Sequence, residues 1–164
     1  MKIKKRKEIR LKEYDYSQNG AYFVTVCTQK RRNILSRINV GEGFHPLPVI
    51  ELSEIGKEIE NTINFINENY NNVFIDKYVI MPNHIHLIIF LGYENTGGHG
   101  NPPLQNVVGQ LKSFTTKKYG KVFWQRSFYE HIVRNENEYK NIWEYIDTNP
   151  HKWSDDEYYT KDEV

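Results

Sequence analysis

Two histidines set two positions apart in an apolar run are the residues of this chain best placed for chemistry. They are His84 and His86, in Asn83-His84-Ile85-His86-Leu87-Ile88-Ile89-Phe90-Leu91. The β-branched and aromatic content marks the run as a strand. Side chains alternate faces along a strand, so both imidazoles point one way and Ile85 points the other. Their Cα atoms then stand about 6.5–7 Å apart, a spacing from which two ring nitrogens can converge on one ion. The same pair also suits a plain polar strand face or a hydrogen-bonded surface pair. Its position beside the turn Met81-Pro82-Asn83, opening an otherwise apolar strand, is where sites tend to be built. Two histidines leave coordination positions open for water or substrate. Nitrogen donors joined by an oxygen ligand suit manganese, magnesium with water, or zinc, and the sequence does not choose among them.

A second pairing lies near the C-terminus, in Trp143-Glu144-Tyr145-Ile146-Asp147-Thr148-Asn149-Pro150. Tyr145 and Asn149 are four apart and share one face of a helix. If that face meets the histidines, Asn149 can supply an oxygen ligand and Tyr145 can hang its hydroxyl beside the metal. A phenol is a weak nucleophile until it is activated, and a phosphate polarised by a divalent cation lowers that barrier. The competing reading is packing: Tyr145 is one of twelve tyrosines, and Asn149 before Pro150 also suits a helix end.

These residues need elements to position them. Residues 21–28, Ala-Tyr-Phe-Val-Thr-Val-Cys-Thr, read as a strand. Residues 31–52 carry Gly41, Gly43, Pro46 and Pro48 and read as loop with short extended pieces. Ser53 is a fitting N-cap for a helix to about Tyr70, with Ile55, Ile59, Ile63 and Ile66 as its apolar stripe. Strands over Val73–Val79 and His84–Leu91 flank the Met81-Pro82-Asn83 turn and should pair antiparallel. The Gly- and Pro-rich residues 92–103 read as a flexible connection, followed by a helix from Leu104 to Tyr119 that Gly120 stops. Residues 122–133 are ambiguous between strand and loop. A last helix covers about Glu136 to Thr148. No internal repeat is present. This order predicts an α+β fold, a ferredoxin-like or RRM-like antiparallel sheet with flanking helices.

With 164 residues, the chain suits one domain with a real core. We divide it into a basic N-terminal arm, 1–13, a domain over 14–153, and an acidic C-terminal tail, 154–164. Hydrophobic residues at 38% and charged residues at 26% place it with globular proteins. No apolar run is long enough for a membrane span, and the N-terminus lacks the apolar stretch of a signal peptide. A cytoplasmic setting is expected. Cys27 has no second cysteine to pair with and reads as a small core residue. Net charge is only +1, but it is segregated. Lys2, Lys4, Lys5, Arg6, Lys7, Arg10 and Lys12 crowd the arm. Lys112, Lys117, Lys118, Lys121, Arg126 and Arg134 follow one another later in the chain. Such segregation can produce a basic face on a nearly neutral molecule, or only a solvated surface. Trp124, Phe128 and Tyr129, near those cations, could stack on unpaired bases or fill the core.

The segment Tyr78-Val79-Ile80-Met81-Pro82-Asn83-His84-Ile85-His86 resembles the HUH motif region (U a bulky hydrophobic residue) of single-tyrosine transposases, and within them the REP-associated tyrosine transposases. Tyr22 to Thr28 is similar to that family's first strand. Trp124-Gln125-Arg126 with Tyr129 to Asn135 is similar to its segment before the last helix, and Glu144-Tyr145-Ile146 with Asn149-Pro150 to its catalytic helix. The resemblance spans about residues 14–153. It implies the HUH endonuclease fold, with His84 and His86 as metal ligands, Tyr145 as nucleophile and Asn149 at the third ligand position. It implies Mg2+ or Mn2+ as cofactor. The implied partner is single-stranded DNA carrying a hairpin, of repetitive palindromic or transposon-end type, with the protein a monomer rather than a dimer, associated with the bacterial nucleoid. The implied reaction is cleavage and rejoining through a 5′-phosphotyrosyl link. Lys112, Lys117, Arg126 and Arg134 are the candidate phosphate contacts. The alternatives are a hairpin-binding regulator without significant cleavage and a metal-dependent hydrolase of small phosphate esters. Residues 92–103 match no motif.

Overall fold

The apolar stripe Ile55, Ile59, Ile63 and Ile66 forms the buried face of helix α1, Glu54–Asn69. Ser53 caps it, its hydroxyl accepting from the Gly56 amide at 3.1 Å. Gly56 is required there: a Cβ at this position would stand 2.2 Å from the Leu35 carbonyl oxygen. Helix α2, Leu104–Tyr119, ends at Gly120, whose φ of 80° is the left-handed conformation glycine adopts at little cost. The computed structural model of the chain describes residues 15–40, 47–92 and 101–161. The basic arm 1–13, residues 93–100 of the Gly- and Pro-rich connection and residues 162–164 of the acidic tail lie outside them.

Four strands make the main sheet. They are β1 (Gly20–Cys27), β4 (Val73–Ile80), β5 (His84–Leu91) and β6 (Tyr129–Val133), in the order β4-β5-β1-β6. Every neighbouring pair is antiparallel. With α1 after β1 and α2 after β5, this is the expected ferredoxin-like α+β arrangement. The tight turn at Met81-Pro82-Asn83 returns β4 into β5, with Ile80 opposite Ile85. The ambiguous stretch 122–133 divides: Tyr129–Val133 is strand, and Trp124 makes only an isolated bridge to Thr28. The short extended pieces expected in 31–52 pair as a hairpin, β2 (Ser36–Val40) with β3 (Pro48–Leu52).

The two faces of the sheet are covered differently. Tyr22, Val24 and Val26 of β1 and Ile85, Leu87, Ile89 and Leu91 of β5 join α1 and α2 in one large apolar core. Their alternates, Ala21 and Phe23 of β1 and Ile88 and Phe90 of β5, face helix α3, Glu136–Thr148, in a smaller cluster. His84 and His86 are on that second face. A 3-10 segment, Asn149–Asp155, continues directly from α3. No helix among the described residues is long and apolar enough to cross a membrane.

Candidate active site

Strand pairing sets the two histidines opposite Cys27 and Thr25: Cys27 is the partner of His84 and Thr25 of His86. The imidazoles point to one side, as the alternation requires, and their Nε2 atoms are 3.1 Å apart. Each ring is oriented from behind through Nδ1. The Thr25 hydroxyl lies 2.8 Å from His86 Nδ1. Asn83 Oδ1 lies 2.9 Å from His84 Nδ1. The Asn83 amide nitrogen donates to Arg31 O (3.2 Å), Tyr158 O (2.8 Å) and Thr160 Oγ1 (3.2 Å). That network assigns the oxygen of Asn83 to His84, so His84 carries its proton on Nδ1 and turns the Nε2 lone pair inward. The Thr25 hydroxyl can accept or donate, so His86 can adopt the same tautomer.

Both rings are buried, His84 at 0% and His86 at 1% exposure. Burial pulls the His84 imidazole down to about 3, with the nearby Arg31 guanidinium adding to the effect and the Asn149 amide opposing it. His86 is held well below its ordinary value, first by burial and then by His84, with Asp156 opposing. Both are neutral at neutral pH, the state in which imidazole binds metal.

Helix α3 delivers Tyr145 to this pair. Its hydroxyl is 3.5 Å from His86 Nε2, and its ring meets the His86 ring edge-on at 5.3 Å. The residue remains 42% exposed. Burial of the phenol, together with the negative charges of Asp156 and Glu157, pushes it up to about 12. Asn149, one helical turn on, is buried. Its Nδ2 donates to Asp156 Oδ2 at 2.8 Å, and its Oδ1 is a buried acceptor without a hydrogen-bond partner among the described residues.

Sequence reasoning missed Asp156. One ligand atom from each of His84, His86 and Asp156 lies within 4.8 Å of the others, a two-nitrogen, one-oxygen donor set suited to a divalent cation. The sequence places the residue only in the acidic C-terminal tail, 154–164. The tail instead turns back at the 3-10 segment and crosses the histidines. The Tyr158 ring lies 4.6 Å from the His84 ring and carries the Arg31 guanidinium 5.0 Å above it. Arg31 Nη1 donates to Glu157 O at 2.8 Å, and Thr160 Oγ1 donates to Arg31 O at 3.0 Å. The accepting turn is strained: Lys30 and Arg31 sit at φ 55° and 51°, where residues other than glycine are uncommon.

The basic candidates are dispersed. Helix α2 packs on the face opposite the histidines, so neither Lys112 nor Lys117 is brought to them. The Lys112 ammonium donates to the carbonyls of Gln125 (2.9 Å), Arg126 (3.3 Å) and Ser127 (3.4 Å), which ties down the loop before β6. Lys117 is exposed. Arg126 is exposed at the histidine end of the sheet, next to Gln125, whose amide donates to Cys27 O. Arg134 follows Val133, the partner of Ala21, at the far end. Of the three rings considered for base stacking, Trp124 and Phe128 belong to the core. Tyr129 is 46% exposed and meets Phe23 edge-on beside Tyr145. Cys27 is buried, and burial pushes its thiol up to about 11, as suits an inert core residue.

No family model matches the chain. An uncharacterized protein of Haemophilus influenzae is 33% identical to it, over 96% of this chain and 94% of its own length. The chain belongs to that protein's family. Among solved structures, the REP-associated tyrosine transposase bound to a REP hairpin aligns with a TM-score of 0.62 and 23% identity, covering 87% of this chain and 73% of the other. This chain has the REP-associated tyrosine transposase fold. In that fold the segment bearing His84 and His86 is a central strand, and α3 is the helix that crosses the face they point from.

Proposed function

We propose that the protein is a DNA transposase that cleaves and rejoins single-stranded DNA near hairpins through a covalent link to Tyr145. The observation that carries this reading is the placement of the Tyr145 hydroxyl 3.5 Å from His86 Nε2, itself 3.1 Å from His84 Nε2. A phenol beside two neutral, inward-turned imidazoles is the arrangement a metal-assisted phosphoryl transfer needs. His84 and His86 would hold Mg2+ or Mn2+, with Asn149 at the third ligand position. The Oδ1 of Asn149, buried and without a hydrogen-bond partner among the described residues, fits that role. When bound, the cation supplies Lewis-acid polarisation of the scissile phosphate and favours the phenolate.

Tyr145 attacks the phosphorus, and a bond from its oxygen replaces the bond to the 3′-oxygen of the preceding nucleotide. The phenolic proton ends on that 3′-oxygen. The products are a 5′-phosphotyrosyl link and a free 3′-OH. One phosphodiester is exchanged for another, so the step reverses without ATP, and attack by a second 3′-OH completes transfer. A phenol pushed up to about 12 is protonated at neutral pH, so its deprotonation is part of the barrier. Arg126 is the best-placed phosphate contact, with Lys117 and Arg134 as outlying ones. Lys112 acts on DNA only indirectly, by holding the loop that carries Arg126. Tyr129 offers an exposed ring for an unpaired base. The partner is single-stranded DNA with a hairpin, bound by the protein acting as a monomer. Support for a hairpin comes from the structural neighbour, which is bound to one.

The test is a covalent-adduct assay with end-labelled single-stranded hairpin DNA and Mn2+, read on a denaturing gel. Wild type should give a protein–DNA band, Tyr145→Phe none and His84→Ala a trace. A band that persists in Tyr145→Phe removes Tyr145 as nucleophile. Salt-sensitive binding with no adduct across a range of hairpins makes the protein a hairpin-binding regulator instead.

A further inference from the structure

We infer that Asp156 is an anionic metal ligand, and that metal binding therefore fastens the C-terminal segment 156–160 across the histidines. The inference rests on the metal reading above and adds a residue that lies beyond the catalytic helix.

Two neutral imidazoles and a neutral amide leave a divalent cation with its full charge in a site whose histidines are buried. An uncompensated charge there is strongly disfavoured. Among the described residues, Asp156 is the acidic one whose carboxylate oxygen joins the histidine nitrogens within 4.8 Å.

Asp156 Oδ1 accepts from the Tyr158 amide at 2.7 Å and Oδ2 accepts from Asn149 Nδ2 at 2.8 Å. Two donors fix the carboxylate, and an ionised carboxylate retains lone pairs for a metal after accepting both. Asn149 then has two tasks at once. Its Nδ2 orients Asp156, while its Oδ1, without a hydrogen-bond partner among the described residues, remains available to the ion.

Asp156 opens a segment whose next residues are already tied to the histidine strand and its surroundings. Tyr158 O accepts from Asn83 Nδ2, the Tyr158 ring lies against His84, and Glu157 O accepts from Arg31. Two of these contacts are made to Asn83 and His84, both buried. A cation bound by β5 and by Asp156 together would cross-link the segment to the sheet.

The experiment uses the full chain with Mn2+ as the probe. Calorimetric titration gives affinity, and hydrogen exchange at amides 156–160 gives the state of the segment. Wild type should bind Mn2+ and show slowed exchange in the segment on binding. Asp156→Asn should bind on the order of tenfold or more weaker and lose the Mn2+-dependent protection. Asp156→Glu, which keeps the charge, should recover part of the affinity. Asp155→Asn, at an exposed neighbour, should match wild type. Thermal melts without metal identify any variant that fails to fold, in which case the Asp156→Glu comparison decides. If Asp156→Asn binds as wild type does while His84→Ala does not, Asp156 is no ligand and the histidine site stands. If wild type does not bind Mn2+, or His84→Ala binds equally well, the metal reading fails and this inference with it.

Discussion

The two faces of one sheet serve different ends. On the first, α1 and α2 bury Ile55, Ile59, Ile63, Ile66, Leu104, Val107, Val108 and Leu111 against alternate residues of β1 and β5. On the second, α3 fully buries only Ile146, with Tyr139 and Ile142 packed half-buried against the same cluster, and polar contacts add to the attachment. Lys77 reaches Asp147 at 2.6 Å and stands 3.7 Å over the Trp143 ring. The Tyr139 hydroxyl donates to Asp76 at 2.6 Å. The larger apolar core lies on the face away from the histidines, and the helix bearing Tyr145 is expected to open more readily than α1 or α2.

Four measurements test that contrast. The largest effect is expected from Tyr145→Phe. It should abolish the covalent DNA adduct while moving unfolding free energy by no more than about 0.5 kcal/mol, because it removes one hydroxyl from a substantially exposed side chain. A large stability loss would mean that α3 is structural after all. Next is Ile63→Ala on the opposite face, expected to cost about 2–5 kcal/mol in urea unfolding and to leave Mn2+ affinity of the folded protein unchanged. A matching loss of Mn2+ affinity would show that the faces are coupled. Third, Mn2+ at a hundred times its dissociation constant should stabilise wild type by about 2.7 kcal/mol and His86→Ala not at all, read as the metal-dependent shift in melting. Equal shifts would remove His86 from the site. Smallest is Asp147→Asn. Its half-exposed pair with Lys77 should contribute no more than about 1 kcal/mol, while amides of α3 exchange faster. A cost near that of Ile63→Ala would show that α3 is anchored as firmly as α1.

Several features were legible because they depend on local geometry. The isoleucine stripe, the Ser53 cap and the Gly120 stop follow from helix period and end chemistry, and each is in place. The i, i+4 relation set Tyr145 and Asn149 together, and resemblance chose Tyr145 among twelve tyrosines. The hairpin β2–β3 was visible only as fragments, since Gly41, Gly43, Pro46 and Pro48 mask a strand pattern. Lys112 was misleading because a charge run does not say where carbonyls converge, and three of them converge on its ammonium. Asp156 was hidden among Asp155, Glu157 and the other acids of the tail. Nothing in its neighbourhood records that the chain turns back seventy residues later to meet His86.

Local spacing alone puts His84 and His86 on one strand face and Tyr145 and Asn149 on one helix face. Backbone periodicity enforces both, whatever surrounds them. The fold is what brings those two faces together, turns Asn83 toward His84, buries both imidazoles so that they stay neutral, and sets a carboxylate from the returning tail beside them. Those outcomes depend on long-range packing, which sets burial and brings together groups that no local period connects.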